Sequence, residues 1–393
     1  MNKIQHEKTY KLYTPGPGNV PARIEAASSF INYHHRTKEF GAMLCDGLDK
    51  LKPVFGTEEQ IITVHTTGRG AIEGAFNNCL SRENDKVLCV CNGRFGEMGK
   101  EIVQAIGIGC VPCYENWTDI VDPEKIRELA IKNKVTTVFM VHSDTSTGVI
   151  NPVAEVGNVC RELNLLFFVD VISSFACMPF KFDEWGVDIA VAGIQKGLMC
   201  PAGMSVMAIS KRAVAAHEKI PQRDYYINIG VIRNFLITKR EAPLTAPVSL
   251  GLAMNEAANM ITEEGMENVF RRHRMLSLAT KSAVEAMGFE LFPKGDGYVR
   301  TDSLTVCTLP NEIDRAKLIN HIKEKYGLLL SSGIGSVYNH TIRIAHMGYC
   351  YVEDMLECIS ALECSLYELG YRDSIGVGLK AFMDTYNQME KML

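Results

Sequence analysis

Short apolar runs separated by stretches of helical periodicity fill the first two thirds of the chain. The runs "QIITVHT" (60–66), "KVLCVCN" (86–92), "GCVPCYE" (109–115), "TTVFMVH" (136–142), "LLFFVDV" (165–171), "DIAVAG" (188–193) and "MSVMAIS" (204–210) are too short for helices and rich in β-formers, which predicts strands. Between them the spacing of apolar positions predicts helices over 71–80, 97–107, 123–133 and 153–163. Strands that alternate with helices imply a mostly parallel, seven-stranded sheet covered on both faces, an α/β fold. Near Pro247 the pattern changes. "PVSLGLAMNEAANMITEEGMENVFRRHRMLSLATKSAVEAMG" reads as two helices broken near Gly265. Strands "LTVCTLP" and "TIRIAHM" follow, with helices near 314–325 and 352–368, which predicts a smaller C-terminal α/β domain. The expected division is an N-terminal arm over 1–20, a large domain over 21–260 and a small domain over 261–393.

Composition narrows the function classes. A chain of 393 residues with 47% apolar content can build one large or two medium cores. The net charge of −5 argues against nucleic-acid binding, which favours a basic surplus. No run approaches the ~18 apolar residues of a membrane span, so no membrane partner is expected. The polar stretch "MNKIQHEKTYKLYTPGPGN" has no signal-like apolar segment, so a cytoplasmic location is the expectation. The 13 cysteines are odd in number and scattered, which suits reduced thiols. Cys110 and Cys113 have metal-like spacing, but no second pair or histidine lies near them in sequence, so no metal site is expected. Cys89 and Cys91 alternate along a strand and should share a core face.

The stretch "GIQKGLMCPAG" (193–203) isolates Lys196 among small and apolar residues. A desolvated lysine has a lowered pKa and can attack a carbonyl cofactor as an amine, pyridoxal phosphate being the usual one. That cofactor needs an acid beside its ring nitrogen, donors for its phosphate and a stacking surface. Asp170 ends the run "LLFFVD", where open α/β sheets bind ligands. "HTTGRGAIEGAF" leads through Thr67, Gly68, Arg69 and Gly70 into a helix expected from Ala71, a candidate phosphate cradle. Phe95 in "CNGRFGEMG" offers a ring, and "HSDTSTG" (142–148) offers hydroxyls. Each has a plainer reading: Asp170 as a cap, Phe95 as core, the hydroxyls as turn caps before Asn151 and Pro152. All of them, however, fall at strand C-termini of one sheet.

The chain resembles the fold-type I, class V aminotransferases, in particular the alanine–glyoxylate and serine–pyruvate group. The resemblance rests on "YTPGPGNVPARI", "TTGRGAIEGAF", "CNGRFGEMG", "HSDTSTGVINP", "FFVDVISSF", "GIQKGLMCPAGMS" and "TIRIAHMG", which follow the family's order from residue 13 to 348. It implies that Lys196 holds pyridoxal 5′-phosphate as a Schiff base and that Asp170 pairs with the ring nitrogen. It further implies an aromatic ring at Phe95, where tryptophan is common, and a hydroxyl at Thr145 near the phenolic oxygen. Gly68, Arg69, Gly70 and Gln195 would contact the phosphate, as would Thr245 of "PLTAPV", donated by the neighbouring subunit of a homodimer. Arg343 would hold the substrate carboxylate, with Gly16, Arg69 and His34 beside the substrate. Ala242, where relatives often carry tyrosine, the extra positive charge of Arg69, and His34, His35 and Arg36 of "YHHRTKEF" depart from the pattern and leave the amino donor open. The implied reaction moves an amino group from a small amino acid of alanine or serine type to a 2-oxo acid such as glyoxylate or pyruvate. The alternatives are a 2-aminoethylphosphonate–pyruvate type aminotransferase, a carbon–sulfur lyase, and a catalytically silent relative. A lyase of the desulfurase kind has a histidine before its lysine and a loop cysteine. Here Gln195 precedes Lys196 and "LLLSSGIGSVYNHTIRI" has no cysteine.

Overall fold

A computed structural model describes residues 10–29, 34–114 and 116–392. All seven expected strands form and share one sheet: β1 (Gln60–Val64), β2 (Lys86–Val90), β3 (Gly109–Cys113), β4 (Thr137–Val141), β5 (Leu166–Asp170), β6 (Ile189–Gly193) and β7 (Ser205–Ile209). Their order is β1-β7-β6-β5-β4-β2-β3. The pairs β3/β2, β2/β4, β4/β5 and β5/β6 are parallel, and β7 alone runs antiparallel to its neighbours β6 and β1. Every residue of β4, β6 and β7 is buried, because helices cover both faces, and these strands therefore read as unbroken apolar runs.

Two helix starts differ from expectation. The helix expected from Ala71 begins at Gly68 and runs to Cys79. Glycine is a poor helix former, but here its missing side chain is what lets the first turn pack. A Cβ on Gly68 would lie 2.2 Å from Ile172 Cδ1, and one on Gly70 would lie 2.4 Å from Thr66 Oγ1. The helix expected from residue 97 begins at Arg94 and runs to Ala105. Its free amides are capped from a distant segment: Phe95 N–H donates to Asp144 Oδ2 at 2.9 Å and Arg94 N–H to Ser146 Oγ at 2.9 Å. A cap that far away leaves no trace in the local pattern. The helix Lys38–Lys50, outside the predicted set, is capped by Thr37 and buries Phe40, Leu44, Cys45 and Leu48 on one face.

After the helix Val248–Glu264 the chain turns at Gly265 into the long helix Met266–Ala286. A four-stranded antiparallel sheet follows, made of β8 (Glu290–Leu291), β9 (Leu304–Thr308), β10 (Ser331–Ser332) and β11 (Thr341–Ala345) in the order β8-β9-β11-β10. The helix expected near 314–325 forms as Arg315–His321 and continues as a wider π turn to Tyr326. One core gathers residues from Ile24 to Val269, and a second gathers Leu276 to Phe382 together with Tyr13. The long helix thus feeds both. The N-terminal segment Lys11–Leu12 pairs parallel to Leu328–Leu329, which leads residues 15–18 across the mouth of the crevice between the cores. No helix among the described residues is long and apolar enough to cross a membrane.

Candidate active site

A cavity of about 310 Å³ opens at the C-terminal ends of the parallel strands, the crevice where open α/β sheets bind ligands. Gly16, Gly68, Arg69, Phe95, Asp170, Gln195 and Lys196 line it, and so do Met98, Ser143, Ile172 and Ser173. The first seven are residues that the sequence singles out.

Lys196 sits in the turn between β6 and β7. Its side chain keeps some contact with the cavity while its ammonium is enclosed and donates to Pro15 O. Burial pushes its pKa down to about 8, with Asp170 pulling it up and Arg343 pushing it further down. Gly16 crosses directly over this side chain at φ +121°, and a Cβ there would lie 2.5 Å from Lys196 Cε. Only glycine takes that backbone at that distance without strain. Gly18 N–H donates to Gln195 O at 3.2 Å, which ties the N-terminal arm to the lysine turn.

Asp170 ends β5 and is 2% exposed. Burial pushes its pKa up to about 7, against the Ile172 N–H that donates to Oδ1 at 2.7 Å. Nearby Asp144 raises it and Lys196 lowers it. A cationic nitrogen placed against this carboxylate would draw its pKa back down.

Ser143 brings to the cavity the short hairpin Ser143–Asp144 against Val149–Ile150, whose Thr145, like Arg343 behind it, stands outside the lining. Asp144 accepts from the amides of Phe95, Gly96 (3.3 Å) and Ser146 (2.9 Å) and from Ser146 Oγ (2.6 Å), and so fixes Phe95 at the cavity. Its own pKa is raised by burial, with these bonds opposing. Among the described residues, the buried hydroxyl of Thr145 and the buried side-chain carbonyl oxygen of Gln195 find no partner. The Thr145 carbonyl accepts from Arg343 Nη1 at 3.3 Å, and Ser332 O accepts from Arg343 Nε at 2.8 Å. Among the described residues no carboxylate lies in ion-pair contact with Arg343, and burial lowers its pKa to about 10, with the charge of Asp144 opposing.

Gly70 lies inside the helix turn against Thr66, away from the lining. His34 and Thr245 are exposed and stand outside the lining of their own chain's cavity, and Ala242 is buried. Arg69 is exposed at the cavity, and among the described residues its guanidinium makes no ion pair and no side-chain hydrogen bond. Asp144 and Pro15 are the residues that sequence reading misses. Asp144 lies inside the quoted hydroxyl cluster, and the signal is an acid among small polar residues at a strand end.

A buried amine near neutrality, a buried acid and a glycine-lined helix start facing one cavity are the equipment of an enzyme that acts on a carbonyl compound bearing an anionic group. The family model for aminotransferase class-V matches residues 23–355, and the chain belongs to that family and is an aminotransferase. It is 35% identical over 381 residues to the serine–glyoxylate aminotransferase of Methylorubrum extorquens, covering 94% of each chain. It is 32% identical over 389 residues to the L-aspartate–glyoxylate aminotransferase of Paracoccus denitrificans, covering 96% of each. Its fold superposes on the crystal structure of ureidoglycine–glyoxylate aminotransferase from Bacillus subtilis with a TM-score of 0.89 at 28% identity, covering 96% of this chain and 98% of that one.

Proposed function

We propose that this aminotransferase uses pyridoxal 5′-phosphate to move an amino group from a small amino acid of alanine or serine type to a 2-oxo acid such as glyoxylate or pyruvate. The observation that carries the reading is the enclosed Lys196 amine, its pKa lowered to about 8, sharing one cavity with Asp170. The residues present fit the cofactor. Thr145 Oγ1 and Gln195 Oε1 are buried polar atoms with no partner among the described residues, and the amides of the Gly68 helix start suit a phosphate.

When bound, the cofactor supplies the electron sink for breaking the bond at the substrate's α-carbon. The chain's own residues do the rest. Asp170 holds the proton on the ring nitrogen. Lys196 would hold the cofactor and, as a free amine, would carry the proton between the substrate's α-carbon and the acceptor carbon. Phe95 would cover the ring, Thr145 would donate to the phenolic oxygen, and Gly68, Arg69 and Gln195 would hold the phosphate. Arg343 is a half-buried cation with no ion-pair contact among the described residues, which suits it to a substrate carboxylate.

A second reading of the donor follows from Arg69. Its unpaired guanidinium at the cavity suits a donor with an anionic side chain, such as an acidic amino acid or an aminophosphonate. Steady-state kcat/KM for L-serine, L-alanine, L-aspartate and 2-aminoethylphosphonate, each with glyoxylate, decides between them. Small neutral donors are expected to lead. If Arg69→Gln instead lowers kcat/KM for an anionic donor about tenfold more than for serine, the guanidinium recognises the donor and the second reading holds. For the assembly, we propose a homodimer in which Thr245 of one protomer completes the phosphate site of its partner. Exposed Thr245, absent from its own chain's cavity, and the exposed Tyr225, Val231 and Ile237 preceding it support that arrangement.

A further inference from the structure

The protein buries a second lysine that the chemistry above does not use. Lys281, in the helix Met266–Ala286, is 8% exposed. Its ammonium donates to Ser277 Oγ at 2.7 Å, Thr301 O at 2.8 Å and Arg300 O at 3.5 Å. Among the described residues no carboxylate lies in ion-pair contact with it; Asp302, whose charge reaches it from nearby, is bonded by Arg274 Nη1 at 3.1 Å. Burial accordingly lowers its pKa to about 8. A lysine held in this costly position by neutral oxygens alone fixes the backbone that supplies them.

That backbone leads to the cavity. Thr301 N–H donates to Gly148 O at 2.9 Å, and Thr301 Oγ1 accepts from Ser143 Oγ at 2.9 Å. Ile150 N–H donates to Val299 O at 2.8 Å, and Val149 bridges Arg300. One short segment, 299–301, thus holds both ends of the hairpin that carries Asp144 and Thr145, and Lys281 ties that segment to the long helix. The same helix braces the wall behind Lys196. His273 Nε2 accepts from Gly348 N–H at 3.0 Å and Arg272 Nη1 donates to Gly348 O at 2.9 Å. A Cβ on Gly348 would lie 3.0 Å from Lys196 O.

We propose that Lys281 is a positioning residue, which through Thr301 sets the 143–150 hairpin, and with it the Thr145 hydroxyl, against the cavity. The catalytic part of this inference rests on the role proposed above for Thr145, whereas the mechanical part stands on the hydrogen bonds alone.

Hydrogen exchange on the full-length chain, without and with pyridoxal phosphate, tests it in the wild type, Lys281→Met and Thr301→Val. Both variants are expected to speed exchange of the 143–150 amides about tenfold, with Asp144 no longer steady. Thr301→Val keeps the carbonyl that Lys281 uses and removes the hydroxyl that joins Ser143 and, within its own segment, Ser303, so it answers the question even if Lys281→Met folds poorly. With pyridoxal phosphate bound, Lys281→Met is expected to shift the pH midpoint of the cofactor absorption in the same direction as Thr145→Val. It should add less than about twofold to the kcat loss of Thr145→Val when the two are combined. Exchange over 143–150 within about twofold of wild type in both variants, with loosening confined to 281 and 299–303, would overturn the proposal. Should Thr145→Val leave the absorption and kcat unmoved, the Thr145 role falls, while the exchange result still decides the part played by Lys281.

Discussion

Lys196 and Gly16 show how much one side chain, or its absence, determines here. With a pKa of about 8 in place of 10.5, roughly a quarter of the Lys196 amine is neutral at pH 7.5, against about one part in a thousand for an ordinary lysine. Only the neutral amine attacks a carbonyl. The rate of linkage to pyridoxal phosphate should therefore rise with pH up to about 8 and level off above it. The same depression means that the folded, cofactor-free chain binds fewer protons than the unfolded one between about 8 and 10.5, so this group adds stability as pH rises through that window. Asp170, raised from 3.8 to about 7, acts in the opposite sense: the folded chain holds its proton longer, and stability falls as pH climbs between those values. Gly16→Ala should slow linkage at least about tenfold, because a methyl group there meets the lysine stem and the φ of +121° disfavours any side chain. Stopped-flow absorption at several pH values reads both effects. Lys196 and Asp170 were legible in the sequence because a charge in an apolar run asks for an explanation. The anchoring of Arg343 was not, since it depends on a carbonyl 198 residues away.

At the scale of elements, apolar runs announced all seven central strands, and their lengths and burial explain why. Helix starts were read late for two physical reasons. Glycines that look like loop formers at 68 and 70 serve close packing, and the Arg94 helix takes its caps from Asp144 and Ser146 in another segment. The first case carries a prediction. Gly68→Ala places a Cβ against the Ile172 side chain, so either that side chain or the first helical turn that presents its amides to the cavity must shift. Pyridoxal phosphate binding, followed by fluorescence quenching, should weaken about tenfold while pyridoxal lacking the phosphate binds as before. Equal loss for both would mean that the turn does not hold the phosphate.

In the whole molecule, two cores meet along the helix Met266–Ala286, and the cavity receives residues from the N-terminal arm and from the strand ends and helix starts of the large sheet. The order of strands and the convergence of distant loops could not be read from periodicity, which reports faces and lengths but not neighbours. The assembly is open to a direct test by complementation. Lys196→Ala and Thr245→Ala chains are each expected to be weak alone. Refolded together, they should regain up to about a quarter of wild-type activity, since half of randomly paired dimers are mixed and each holds one complete site. A mixture no more active than its parts would place Thr245 in its own subunit's site or in none. The central claim, that Lys196 carries a pyridoxal phosphate through an amino transfer, is tested most directly by the visible absorption of the purified protein beside Lys196→Ala. A band that requires Lys196, is bleached by L-serine or L-alanine and returns with glyoxylate or pyruvate is the expected result. No Lys196-dependent band at saturating pyridoxal phosphate would contradict the account.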